Sequence, residues 1–300
     1  MFTVKSKAAA VSITSNSLLI LLKVVAGLLT GSISLIAEAI HSMIDLVAAI
    51  IAFISVRISD RPADTQHPFG HGKTENISGV VEAALIFIAA GIIIYEAAQR
   101  LINGKALELI QTGIGIMAVS IVVNMLVSRY LLKVSRETDS LALEADARHL
   151  TTDVITMAGV LVGLLIVWLT GLNILDPIVA ILVALFIIKT AYDITKKSFG
   201  GLIDVKLPET EEAAIKSCII EHYSDVVSFH RLRTRKAGSQ RYIDLHLVMP
   251  KNESVEEAHQ MCDHLEQSIK DRVPQTSVTI HVEPCSIECS DCTVTCGLRR

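Results

Sequence analysis

Aromatic residues make up only 4% of this 300-residue chain, a single tryptophan among them, and no cysteine occurs before Cys218. The scarcity of aromatics argues against a sandwich core, because the apolar mass is left to Leu, Ile, Val and Ala, the composition of lipid-facing helices. Excess positive charge is also missing: the formal net charge is -4, which leaves no concentrated basic face and excludes a nucleic-acid partner. Nor does the start offer a cleavable secretion signal. MFTVKSK leads into a long segment without a short apolar core and a small-residue cleavage site, so the first helix is expected to stay in the protein. The cysteines crowd the last third, at Cys218, Cys262, Cys285, Cys289, Cys292 and Cys296. In a cytosolic domain they are expected as reduced thiols.

What the chain does have is apolar length. Its hydrophobic content is 51% and its mean hydropathy +0.51, more than an ordinary soluble domain of this size carries. Six segments are long enough to span a bilayer as helices: Ala8 to Leu29, Ile33 to Ile58, Ile77 to Leu101, Leu109 to Val134, Ala145 to Leu169 and Leu175 to Ile194. Basic residues alternate between the connections. Lys5 and Lys7, then Arg57, Arg61 and Lys73, then Lys133 and Arg136, then Lys196 and Lys197 fall on one side, which places both termini in the cytoplasm.

After Phe199 the pattern changes to that of a soluble α/β unit. Pro208 to Tyr223 reads as a helix, Val226 to Arg235 and Tyr242 to Val248 as a hairpin around Lys236-Ala237-Gly238-Ser239, Ser254 to Lys270 as a second helix, and Ser277 to Val282 as a last strand. Ser254 and Glu257 have capping-box spacing. The expected organisation is a six-helix transmembrane domain over 1–199, an αββαβ metallochaperone-like domain over 200–284 and a cysteine-rich tail over 285–300.

Ionisable groups at membrane depth are costly and mark functional cavities. Two pairs share one spacing: His41 with Asp45 in the second span, and His149 with Asp153 in the fifth. Residues i and i+4 lie on one helix face, so each pair offers a nitrogen and an oxygen to the same point. Two such helices facing each other supply four ligands, the number and chemistry that tetrahedral Zn²⁺ takes. The alternative is that each His and Asp satisfy one another within their own helix. Glu38 and Glu82 lie in the second and third spans without a matching partner. The donor set also suits Cd²⁺, Fe²⁺, Co²⁺ and Mn²⁺. Because metal binds deprotonated imidazole, loading releases protons, and His149 and Asp153 are the first candidates to carry them.

The segments AEAIHSMIDL and ADARHLTTDV resemble the signature stretches of the second and fifth helices of the cation diffusion facilitator family, and HPFGHGKTE resembles its cytoplasmic loop. The likeness runs from the first span to His281. It implies a dimeric exporter, in bacteria of the inner membrane, that exchanges a cytosolic divalent metal for protons, with His41, Asp45, His149 and Asp153 as the transport site. His at both first positions leans toward zinc, since manganese-type members favour carboxylates. The resemblance also implies a loop metal site at Asp64, His67 and His71, a salt bridge between Lys73 and Asp204, and a cytoplasmic metal site at His230, His246, His259 and His281, with Glu283 where Asp is commoner. The alternatives are a solvated loop and strand histidines that merely face water. The run Cys285, Cys289, Cys292 and Cys296 is not part of the family pattern. Its readings are metal capture, a redox or disulfide role, or an unstructured tail. A different class of function, a membrane-anchored metal sensor, would use the same ligands without turnover.

Overall fold

The computed structural model describes residues 3–30, 33–103, 111–170, 174–221 and 226–285. The chain divides into two compact units, Met1–Leu202 and Ile203–Arg300.

Among the described residues the first unit consists of helices α1 (Val4–Thr30), α2 (Ile33–Ser59), α3 (Lys73–Asn103), α4 (Gln111–Thr138), α5 (Leu141–Thr170) and α6 (Leu175–Leu202). A 27-residue helix such as α2 is about 40 Å long, more than the hydrocarbon core requires. Among the described residues, four stretches have both the length and the apolarity to cross a membrane: Val4–Ala26, Lys73–Gln99, Gly115–Thr138 and Pro177–Leu202. The two helices outside that set, α2 and α5, are the ones that carry the His/Asp pairs. The expected end of the membrane domain at Phe199 falls inside α6, which continues to Leu202.

Helix α5 is the hub, touching α1, α2, α3, α4 and α6. One of its faces packs Ala142, Leu143, Ala147 and Leu150 against Ala8 and Ala9 of α1 and Leu131 of α4, while Ala145 meets Ala83 and Ile86 of α3 and Ile187 and Ala191 of α6. Alanines at these contacts let backbones approach closely, which is how helices associate without a hydrophobic driving force. Two glycines carry that logic further. A Cβ on Gly79 would stand 2.2 Å from Ser198 Oγ, and one on Gly201 would stand 2.0 Å from Asn76 Nδ2. Both hold α3 against α6, where Asn76 Nδ2 also donates to the Ser198 carbonyl at 3.0 Å.

At one end of this unit the fully buried Glu75 ties four helices together. It accepts from Lys5 Nζ of α1 at 3.0 Å, Ser59 Oγ of α2 at 2.8 Å and Ser140 Oγ, just before α5, at 2.7 Å, and the backbone N–H of Ala142 lies 3.4 Å away. Lys5 also meets Asp60 at 3.2 Å. A charge this buried is tolerable because every lone pair direction finds a donor.

The second unit holds α7 (Glu209–Ile220), β1 (Ser228–Ala237), β2 (Gln240–Met249), α8 (Val255–Arg272) and β3 (Thr276–Pro284). Its sheet has the order β1-β2-β3, with β1 antiparallel to β2 and β3 parallel to β2, the latter made possible by the α8 crossover. The hairpin is tighter than expected: both strands run up to a two-residue turn, Gly238-Ser239. Gly238 takes φ 61°, the positive value that primed two-residue turns need. The capping box on α8 forms, with Glu257 N–H donating to Ser254 Oγ at 3.2 Å and Ser254 N–H to Glu257 Oε2 at 2.8 Å. Along β2, Ile243, Leu245 and Leu247 point into a core shared with Ile215 and Ile219 of α7 and Cys262, Leu265 and Ile269 of α8. The alternate residues, His246 among them, point to the opposite face.

Candidate metal centres

In the helical unit, α2 delivers Asp45 and α5 delivers His149 and Asp153. One ligand atom from each lies within 4.8 Å of the other two. His149 Nε2 stands 3.2 Å from Asp45 Oδ1, so the imidazole reaches the partner helix rather than the carboxylate one turn along its own. Asp45 and His149 are both buried. His41 sits on α2 one turn before Asp45, and its side chain lies outside the described residues. One imidazole and two carboxylates at this separation are a hard-to-borderline donor set of the kind first-row divalent ions take. The other ring nitrogen of His149 points to Glu82 of α3, whose Oε2 is 3.9 Å away. Sequence reading flagged Glu82 only as an ionisable residue without a matching pair.

A second cluster forms in the loop between α2 and α3, where ligand atoms of Asp64, His67 and His71 again lie within 4.8 Å of one another. The local chain explains why. Asp64 Oδ1 accepts from the backbone N–H groups of Gln66 at 2.9 Å and His67 at 2.6 Å, a side-chain turn that doubles the chain back. Gly70, at φ 75°, then closes a turn onto the His67 carbonyl at 2.9 Å and returns His71, so the two rings stand 4.3 Å apart. The His67 N–H holds the Asp64 carboxyl below its ordinary range, with the His67 ring and the Gln66 N–H adding to the effect. Asp64 is thus presented as a carboxylate.

The third cluster is written into strand register. His230 of β1 pairs with His246 of β2, and His246 pairs with His281 of β3, so three imidazoles form one row across the sheet. Glu283 crosses that row: its carboxylate lies 2.7 Å from His246 Nδ1, 3.3 Å from His230 Nε2 and 3.7 Å from His281 Nε2. His230, His246 and Glu283 meet the spacing for a shared ion. Right after His230 the register shifts, with Arg231 at φ 50°, a bulge that re-aims the strand where the ligands sit. His259 is the one expected member that a single chain does not bring to the row. It lies on α8, which covers the core face, while His246 projects from the other. Its ring is exposed, with Nε2 3.7 Å from Asp263, and within one chain the sheet separates it from the row.

The bond from His246, joined by the charges of His230 and His281, holds the Glu283 carboxyl below its ordinary value of 4.5. A folded-state value below the unfolded one contributes stability that is present above about pH 4.5 and lost as pH falls through the folded value. In residues 203–285 with chelator present, the Tm of the native sequence should therefore fall more between about pH 6 and about pH 3 than that of Glu283→Gln. Parallel curves would remove Glu283 from the cluster.

Of the remaining expected residues, Lys73 Nζ donates to the Leu202 carbonyl at 3.2 Å, and Asp204 meets Arg235 at 3.4 Å. Cys285 is buried at the end of β3, with its N–H on the Met249 carbonyl at 2.9 Å. Cys289, Cys292 and Cys296 lie outside the described residues.

The comparison with known proteins joins both units. The cation efflux transmembrane domain matches residues 9–203, and the cytoplasmic domain of cation efflux proteins matches residues 207–285. The chain belongs to the cation diffusion facilitator family. An uncharacterized transporter of Synechocystis is 36% identical over 263 residues, covering 88% of this chain and 85% of that one. The cation-efflux pump FieF of Pectobacterium atrosepticum is 33% identical over 279 residues, covering 93% and 92%. Among solved structures, the metal-bound C-terminal domain of the CzcD transporter from Thermotoga maritima is 25% identical over 27% of this chain and 98% of its own, at a TM-score of 0.25. Members of the cation diffusion facilitator family are transporters rather than enzymes, and this one is an integral membrane cation efflux protein.

Proposed function

We propose that this chain exports Zn²⁺ from the cytoplasm in exchange for protons, loading the ion between α2 and α5 on Asp45, His149 and Asp153, with His41 completing a tetrahedral set. The observation that carries the reading is the approach of His149 Nε2 to Asp45 across two helices at 3.2 Å, with Asp153 within ligand reach of both. Without metal, a proton on Nε2 bridges that gap. A divalent ion needs the nitrogen lone pair and displaces the proton, so loading and deprotonation are one event, and reprotonation from the far side releases the ion.

The basic residues at alternate connections put both termini in the cytoplasm, of a bacterial inner membrane. The loop cluster then lies at the cytoplasmic entrance. The row of His230, His246 and Glu283, with His281 beside it, holds a further ion in the C-terminal domain, and the chain works as a homodimer.

Proteoliposomes with an acidic lumen and a pH dye inside should accumulate zinc and alkalinise in step, because each ion that enters is exchanged for protons that leave. Binding that stops at stoichiometry, with no accumulation, would overturn transport in favour of a membrane-anchored sensor. In the same vesicles His149→Asp should move the Zn²⁺ to Mn²⁺ preference toward manganese by roughly tenfold, about 1.4 kcal/mol, because a carboxylate replaces one of the site's two imidazoles. An unchanged ratio would remove His149 as the selectivity ligand.

A further inference from the structure

Behind the transport site two buried polar groups face each other. His149 Nδ1 and both carboxylate oxygens of Glu82 have no hydrogen-bond partner, although each is shielded from solvent. They lie 3.9 Å apart, and Glu82 has no exposed surface at all. A carboxylate sealed among helices without a donor is unfavourable to fold around. Its surroundings bring it there deliberately in packing terms: Gly79, one turn earlier on α3, has no Cβ to hold Ser198 off, and Ala83 beside Glu82 packs on Ala145 of α5. The same close approach that seats α3 on α6 and α5 therefore aims Glu82 at the back of the His149 ring.

We infer that Glu82 is a positioning residue for transport: its carboxylate accepts the Nδ1–H of His149 and so commits the Nε2 lone pair to the cargo ion beside Asp45 and Asp153. A metal-bound histidine commonly donates its second nitrogen to a carboxylate, which fixes the ring's tautomer and orientation and makes the bound nitrogen a better donor. At 3.9 Å the two groups are about one side-chain adjustment from a hydrogen bond, and an ion drawing Nε2 of His149 toward Asp45 leaves Nδ1–H facing the Glu82 carboxylate. Glu82 does not touch the ion in this arrangement, since it sits on the opposite edge of the ring from the ligand cluster. The inference rests on the assignment of Asp45, His149 and Asp153 as the transport site.

Three variants in proteoliposomes separate the possibilities. Glu82→Leu should fold at least as well as the native chain, because it exchanges an orphaned carboxylate for an apolar group of similar volume, and it should raise the KM for Zn²⁺ by about 10- to 100-fold with a much smaller change in Vmax. Glu82→Gln, which retains an oxygen to accept from Nδ1–H, should recover most of that loss. In full-length protein loaded with ¹¹³Cd²⁺ and labelled with ¹⁵N-histidine, the metal should couple to His149 Nε2 alone in the native chain and to a mixture of Nε2 and Nδ1 in Glu82→Leu. An unchanged KM and an unchanged coupling pattern in Glu82→Leu would overturn the role, as would a Glu82→Gln loss equal to that of Glu82→Leu. Asp153→Ala is the control that tells the two failures apart. If it transports normally, the site itself is misplaced; if it is inactive while Glu82→Leu is normal, only the role of Glu82 falls. Should Glu82→Leu not yield folded protein, Glu82→Gln and the coupling measurement decide by themselves.

Discussion

Asp153→Ala should cut zinc uptake into proteoliposomes by at least on the order of 100-fold, since losing a group that merely hydrogen-bonds to a ligand already costs up to about that much. The side chain is half-buried, and its removal leaves Asp45 and His149 bonded to each other at 3.2 Å, so the helices keep their contact and the protein its fold. What disappears is one of the two negative charges that offset the cargo's own. The site then holds a dipositive ion with a single described carboxylate, and the stable occupant becomes the proton between His149 and Asp45. The coupled proton flux should vanish together with the metal flux. Zinc uptake within a few-fold of the native rate in folded Asp153→Ala would remove this cluster from the transport path.

The second large effect is on stability. Glu75→Ala should destabilise the helical unit by about 3 kcal/mol, read as a loss in the denaturant midpoint of the protein in detergent micelles. The residue is fully buried and takes bonds from Lys5 at 3.0 Å, Ser59 at 2.8 Å and Ser140 at 2.7 Å, so its loss takes an acceptor from three donors at once, the buried ammonium of Lys5 among them. Glu75→Gln, which keeps the acceptor oxygen but not the charge, should fall between the two. A shift below about 1 kcal/mol would mean that this pair behaves like a surface salt bridge and that water reaches it.

Much of this architecture is legible in one dimension. Runs of Leu, Ile, Val and Ala mark the helices, and the ends of α2 and α6 begin where expected, at Ile33 and Leu175. Ser254 and Glu257 announce the α8 cap, and Gly238 the hairpin. The His/Asp pairs of the spans are legible as spacings, because His and Asp in apolar runs stand out, whereas the loop and strand ligands are implied by the family resemblance. Partner choice is not legible. That His149 reaches Asp45 of another helix depends on how α2 lies against α5, which no i, i+4 rule contains. The bonds of Glu75 join positions as far apart as 5 and 140, and no local pattern links them. Glu82 looked like an isolated flaw because its meaning lies on a neighbouring helix. The place of His259 is not legible for a related reason: the periodicity of Cys262, Leu265 and Ile269 turns α8 toward the face of the sheet that the strand histidines leave.

The histidine row has a consequence for assembly of the C-terminal unit. His230, His246 and His281 come from three strands, one of them joined through an 18-residue helix, and they align only in a single pairing of those strands. A slip of one residue in β3 would turn its side chains to the opposite face, burying His281 and Glu283 and withdrawing the carboxylate from His230 and His246. An ion that binds His230, His246 and Glu283 thus favours the correctly threaded sheet over one slipped by a single residue. Metal supply would then act as a proofreader of strand pairing, favouring the native alignment before the domain is ever asked to sense or pass on an ion.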